Sequence, residues 1–203
     1  MMRMKLRALP LLMAGLMLVA PAAARAAVTE VVKKTVDEVV RIVSDKELKK
    51  QQNEKMRRKE LKTTIEMIFD YAEMAQRSMG SHWKDRSAAE KKEFVQLFET
   101  LLENSYVSKI ESYNQEKIVY LKETVDGDNA EVKSKVVTAK RDEYTLDYRL
   151  LKKGGKWMVY DVVIEGVSMV SNYRTQFNKI IQNQGYGELL KKLRSKSEEI
   201  KAP

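Results

Sequence analysis

Between Lys117 and Ile164 apolar and polar residues alternate, whereas on both sides of that stretch apolar residues recur every three or four positions. A period of two builds half-buried strands, and a period near 3.6 builds helices with one oily face. The chain must therefore set a sheet between two groups of helices, which predicts one α+β domain. Strands are expected at 117–124, 130–139, 142–152 and 156–164. Asp126-Gly127-Asp128-Asn129 and Gly154-Gly155 are turn signatures. Such short connections make the sheet an antiparallel meander of four strands or slightly more.

In the third strand Tyr144, Leu146, Tyr148 and Leu150 share a face. Strict alternation in the fourth puts Met158, Tyr160, Val162 and Ile164 on one side and Trp157, Val159 and Val163 on the other. A strand apolar on both faces must be covered on both, or must face something apolar that is not protein.

Helical stripes flank the sheet. Val32, Val36, Val39, Val40 and Val43 form the first. Residues 46–60 are almost wholly polar and read as an exposed helical extension or a linker. The stripe resumes at Leu61, Ile65, Ile68, Phe69, Ala72, Ala75 and Met79, and Gly80 is the expected stop. Ser87 and Glu90 then form a capping box ahead of a helix carrying Phe94, Leu97, Phe98, Leu101, Leu102 and Tyr106, expected to end near Ser108. After Gly166 a helix shows Val170, Tyr173, Phe177, Ile180 and Ile181. Gly185-Tyr186-Gly187 breaks it before a last amphipathic helix with Leu189, Leu190, Leu193 and Ile200.

The N-terminus has the form of an export signal. Arg3, Lys5 and Arg7 precede an apolar run from Ala8 to Ala20, and Ala24-Arg25-Ala26 is a small-x-small cleavage site. A run of thirteen residues is too short to span a bilayer core of about 30 Å. We therefore expect a signal peptide over 1–26 and one mature domain over 27–203, exported from the cytoplasm. Removing four basic and no acidic residues lowers the net charge from +9 to +5. An exported protein is a poor partner for nucleic acid, and an anionic membrane or acidic protein surface suits the remaining charge better.

Composition narrows the chemistry. The chain has no Cys and one His, which removes disulfides, thiol nucleophiles, cysteine zinc sites and paired-histidine metal sites. No phosphate loop or nucleophile elbow is present. Asp126-x-Asp128 lacks the later ligands of a calcium loop and reads as a hairpin turn. His82, Asp161 and Glu165 are the only acid or base candidates singled out, and none shows a partner. No cofactor, metal or enzymatic activity is expected.

The block from Tyr160 through Gly166 to Phe177 strongly resembles the MlaC, or toluene-tolerance auxiliary, family. Phe69-Asp70-Tyr71, Met74-Ala75, Gly80-x-x-Trp83 and the closing Gly185, Leu189, Leu190 and Leu193 agree with it, so the resemblance covers roughly residues 28–197. It implies an NTF2-like α+β fold whose helices and curved sheet enclose the acyl chains of a phospholipid. It also implies a monomeric periplasmic shuttle between an outer-membrane lipoprotein–porin complex and an inner-membrane ABC transporter bearing an MCE-domain ring, maintaining outer-membrane lipid asymmetry. A hopanoid cargo or an NTF2-like periplasmic enzyme remains an open alternative.

Physics makes such a carrier necessary. Two acyl chains hold about thirty methylenes at ~0.8 kcal/mol each, on the order of 25 kcal/mol against crossing water unaided. On this reading the expected lining is Phe69, Met74, Met79, Phe94, Leu97, Phe98 and Leu101 from the helices. From the sheet and the last helices it is Tyr148, Leu150, Trp157, Val159, Val163, Val167, Val170 and Phe177. Asn172, Tyr173 and Arg174 are expected at the mouth near the headgroup.

Overall fold

A computed structural model describes residues 26–199. Residues 1–25 of the expected signal segment, and Ile200, lie outside the described residues. Helix α1 (Ala26–Ser44) leads through a turn and a 3-10 segment (Gln51–Asn53) to α2 (Glu54–Glu66) and α3 (Tyr71–Met79). A 3-10 turn (Gly80–Trp83) and α4 (Ala88–Glu111) follow. The sheet comprises β1 (Lys117–Asp126), β2 (Asn129–Val137), β3 (Glu143–Lys153), β4 (Lys156–Ile164) and β5 (Val167–Ser168), succeeded by α5 (Met169–Gln184) and α6 (Tyr186–Glu199). All strand pairs are antiparallel, in the order β1-β2-β3-β4-β5, and the curved sheet is not closed.

Local chemistry accounts for most boundaries. Ser87 Oγ accepts from the Glu90 amide while the Glu90 carboxylate accepts from the Ser87 amide, the reciprocal cap the sequence predicts. Gly154 and Gly155 both take positive φ (56° and 80°), as a two-residue turn matched to sheet twist requires.

Three expectations change. The single stripe from Leu61 to Met79 is two helices, because the chain leaves helical geometry at 67–70 to join the sheet. There the Asp70 amide donates to the Val159 carbonyl (2.9 Å) and the Val159 amide to the Ile68 carbonyl (2.6 Å). Asp70 then caps α3, its carboxylate accepting from the Glu73 amide at 3.0 Å. Second, α4 runs to Glu111 and not Ser108, one turn further. Third, β4 does not alternate strictly. Arg149 pairs with Asp161 but Leu150 pairs with Val159, so Tyr160 is an extra, bulged residue. The bulge puts Trp157 and Val159 on the same face as Val162 and Ile164, and leaves Met158, Asp161 and Val163 opposite.

Two main bodies of core result, beside a smaller cluster of Ile42, Val43, Leu48 and Leu61 where the end of α1 meets α2. Helices α3 to α6 pack round an aromatic cluster in which Phe94, Phe98, Tyr173 and Phe177 have ring centroids 5.3–6.0 Å apart. Each such ring contributes about 1.5–3 kcal/mol by burial alone. The other body lies on the inner sheet face, where Val28 and Val32 of α1 and Ile68 meet Val132, Leu150 and Val159. A second bulge, at Leu121 on β1, turns Glu123 inward, where its carboxylate accepts from the Thr29 amide (2.7 Å) and hydroxyl (2.5 Å). This anchors α1 across the sheet.

Candidate functional site

The first half of α1 closes solidly on the sheet and the second half does not. Past Val32, Val36, Val39, Val40 and Val43 of α1 line a gap together with Ile118, Val136, Leu146, Val162 and Ile164 of the sheet. The gap is a cavity of about 820 Å3, towards the upper end of ligand cavities in general (about 300–1,000 Å3). Its remaining walls come from Leu61 and Ile65 of α2, Leu102, Tyr106, Val107 and Ile110 of α4, and Met169 at the start of α5. The lining is overwhelmingly apolar. Burial pushes the phenols of Tyr71 and Tyr148 well above their ordinary range, so both face the cavity as neutral groups.

Polar residues gather at one end. Arg58 and Lys59 of α2, Lys109 and Ser112 near the end of α4, and Tyr144 of β3 are the exposed members of the lining, so the cavity meets solvent beside the end of α4. Arg57 ties α2 to α4 through Glu111 at 2.7 Å and also donates to the Leu48 carbonyl at 2.6 Å. Lys62 sits among Glu66 (2.9 Å), Glu99 and Glu103. Partial burial works against the Lys62 charge, but the hydrogen bonds it donates to Glu103, Glu66 and Glu99 outweigh this and raise its pKa, so the ammonium persists. The oxygens of those three acids lie within 4.8 Å of one another, and Lys62 already serves as their counter-ion.

Of the residues the sequence marked for the lining, Phe69, Met74 and Tyr148 border this cavity. Met79, Phe94, Phe98, Leu101, Val170 and Phe177 lie in the aromatic helix core, with Leu97 packed against it. Leu150, Val159 and Trp157 belong to the closed half of the sheet. Val163 is buried on the outer face, and Val167 is 59% exposed at the β4–β5 turn. Nor do the three residues marked for the mouth meet at the opening. Tyr173 is buried, 3.4 Å from the Ser105 hydroxyl, and Asn172 is exposed. The Arg174 stem passes close to Gly80, within 3.4 Å of where a Cβ would stand, and its guanidinium donates to Ser171 Oγ at 3.3 Å.

The residues missed lie chiefly on α1, α2 and the inner ends of β2 to β4. Their stripe and alternation were visible, but the gap between them depends on the spacing of distant elements, which no local pattern reports.

The acid and base candidates serve structure. Asp161, 3% exposed, accepts from Ser168 Oγ (2.6 Å), the Val170 amide (3.0 Å) and Arg149 (3.3 Å), fixing the start of α5 on β4. Glu165 accepts from the Thr145 amide, and His82 lies 2.9 Å from Asn178 Oδ1. None of the three borders the cavity.

An open antiparallel sheet crossed by helices, with an apolar hollow that has basic side chains among its exposed lining, defines an α+β protein with room for an apolar ligand. The chain belongs to the MlaC family: residues 33–195 match the family described as MlaC protein. It is 31% identical over 120 residues to the intermembrane phospholipid transport system binding protein MlaC of Haemophilus influenzae. That alignment covers 57% of this chain and 56% of the relative, so it spans little more than half of that protein's length. Its fold is similar to that of a phospholipid-binding protein from Ralstonia solanacearum solved in complex with a phospholipid. The TM-score is 0.73 at 24% identity, covering 84% of this chain and 96% of that one.

Proposed function

We propose that this protein is a periplasmic phospholipid carrier, taking the acyl chains into the hollow between α1, α2, α4 and the sheet. The observation that carries the reading is the cavity itself: about 820 Å3 of apolar space, with basic side chains where it opens. Without a guest, that apolar lining would stay in contact with water, and covering it with acyl chains recovers the lost burial. The names of the Haemophilus and Ralstonia relatives support the lipid class.

Lys59 and Lys109, exposed in the lining, would meet a phosphate while the headgroup stays wet. Walls of Val, Ile, Leu and Met accept chains of different length, since dispersion and hydrophobic contact carry no fixed register. Cargo would pass between an outer-membrane lipoprotein–porin complex and an inner-membrane ABC transporter with an MCE-domain ring, sustaining outer-membrane lipid asymmetry. Among the described residues no helix is long and apolar enough to cross a membrane, in keeping with a carrier.

The deciding experiment is chloroform–methanol extraction of natively purified protein followed by mass spectrometry. Near-stoichiometric diacyl phospholipid is expected. A hopanoid would change the cargo, and an empty extract would defeat the reading.

A further inference from the structure

The positive charge of the chain is not spread over its surface. From residue 27 onward the balance is 34 basic to 29 acidic, a net of +5. The segment Lys46–Lys62 alone holds eight basic and three acidic residues, also a net of +5, so the remainder of 27–203 is neutral. In three dimensions this segment is the turn after α1 together with most of α2, the helix that flanks the cavity opening.

Within it the two arginines are already engaged. Arg57 is held by Glu111 and the Leu48 carbonyl, and Arg58 by Glu54 at 2.8 Å and Glu111 at 3.4 Å. The outward charge is therefore lysine: Lys46, Lys49, Lys55 and Lys59 are exposed and make no salt bridge among the described residues. Beside them Met56 is 56% exposed. Specific protein interfaces deplete lysine and favour arginine, whose planar fork reads a fixed partner geometry. Mobile, hydrated ammonium groups around an exposed apolar side chain instead suit a laterally fluid layer of anionic headgroups.

We infer that the Lys46–Lys62 face docks the protein on anionic bilayer surfaces, bringing the cavity mouth against the headgroup layer. The proposal rests on the carrier reading only for its purpose; the docking itself depends on the lysines. Each lysine near such a surface is worth roughly fivefold in binding, and the attraction fades as salt shortens the Debye length to about 3 Å near 1 M.

The test is flotation of the full mature protein with phosphatidylcholine vesicles containing about one-third phosphatidylglycerol, against phosphatidylcholine alone. Wild type should float with the anionic vesicles at low salt only. Lys46, Lys49, Lys55 and Lys59 all changed to Gln should weaken binding more than about tenfold. The charge-matched control, with Lys122, Lys140, Lys156 and Lys179 changed to Gln, should bind nearly as wild type does. Three results would overturn the proposal: failure of wild type to float, equal binding to neutral vesicles, or an equal loss in the control. Failure of wild type to float would leave an acidic protein as the partner for this face. Lipid extraction from the wild-type preparation reports on the carrier reading separately, since it does not depend on vesicle binding.

Discussion

Val163 and Ile164 are neighbours in sequence with different neighbourhoods, and replacing each by Glu separates the cavity from the core. Ile164 borders the hollow, while Val163 is buried on the outer face and pairs with Asp147 and Ser168. In the empty protein a carboxylate at 164 can reach water through the cavity. With acyl chains in place it must be desolvated, and the cheapest relief is to take up a proton. From an ordinary pKa near 4.3, neutralising it at pH 7.4 costs about three pH units, or about 4 kcal/mol. Lipid affinity should therefore fall about a thousandfold in Ile164→Glu, with the fold kept. Val163→Glu gains no such route to water. It loses about 2 kcal/mol of apolar burial and must bury or expel a charge, against a total stability of about 5–15 kcal/mol. It should melt far below wild type while its folded fraction keeps its cargo. The assay is lipid per folded protein by extraction and mass spectrometry, with a thermal melt followed by circular dichroism. Full lipid loading in Ile164→Glu, together with an empty but normally melting Val163→Glu, would refute the reasoning.

Phe98→Ala should cost about 3–5 kcal/mol, because the ring is fully buried against Phe94, Tyr173 and Phe177; chemical denaturation measures it, and lipid per folded molecule should not change. Asp70 supplies a pH-dependent contribution. Burial pushes its carboxyl up, but the hydrogen bonds from Lys153 (2.8 Å) and the Glu73 amide (3.0 Å) outweigh this and hold its pKa below the usual value. A depressed carboxylate stabilises the fold above its unfolded pKa and loses that contribution as pH falls through the folded one. Asp70→Ala should lower Tm at neutral pH by several degrees, about 1–2 kcal/mol for the lost cap, and the gap should close as pH falls below about 4.

Much of the architecture was legible locally. The period switch at Lys117 and its reversal after Gly166 set the order of helices and strands, because backbone geometry dictates which residues share a face. Ser87 with Glu90, and the paired glycines at 154 and 155, placed a cap and a turn because those motifs are satisfied within a few residues. The resemblance to the MlaC family was legible for the same reason, as a run of contiguous residues from Tyr160 to Phe177.

The cavity walls were not, and three particulars show why. Phe94, Phe98 and Phe177 are as oily as Val36 or Leu146, and only packing decides that the first group meets itself while the second faces a gap. Tyr160 carries no local mark of a bulge, yet by adding one residue it exchanges the faces of β4 on either side of it and moves Val163 away from the inner face. The basic run after Asp45 was visible as charge, but its place at the opening follows from α2 being tied to α4 through Arg57 and Glu111, fifty-four positions apart. Sequence patterns set which residues avoid water, since that is a property of each side chain and its period. Whether such residues close on one another or leave room for a guest depends on the separation of distant elements, and that exists only in the folded chain.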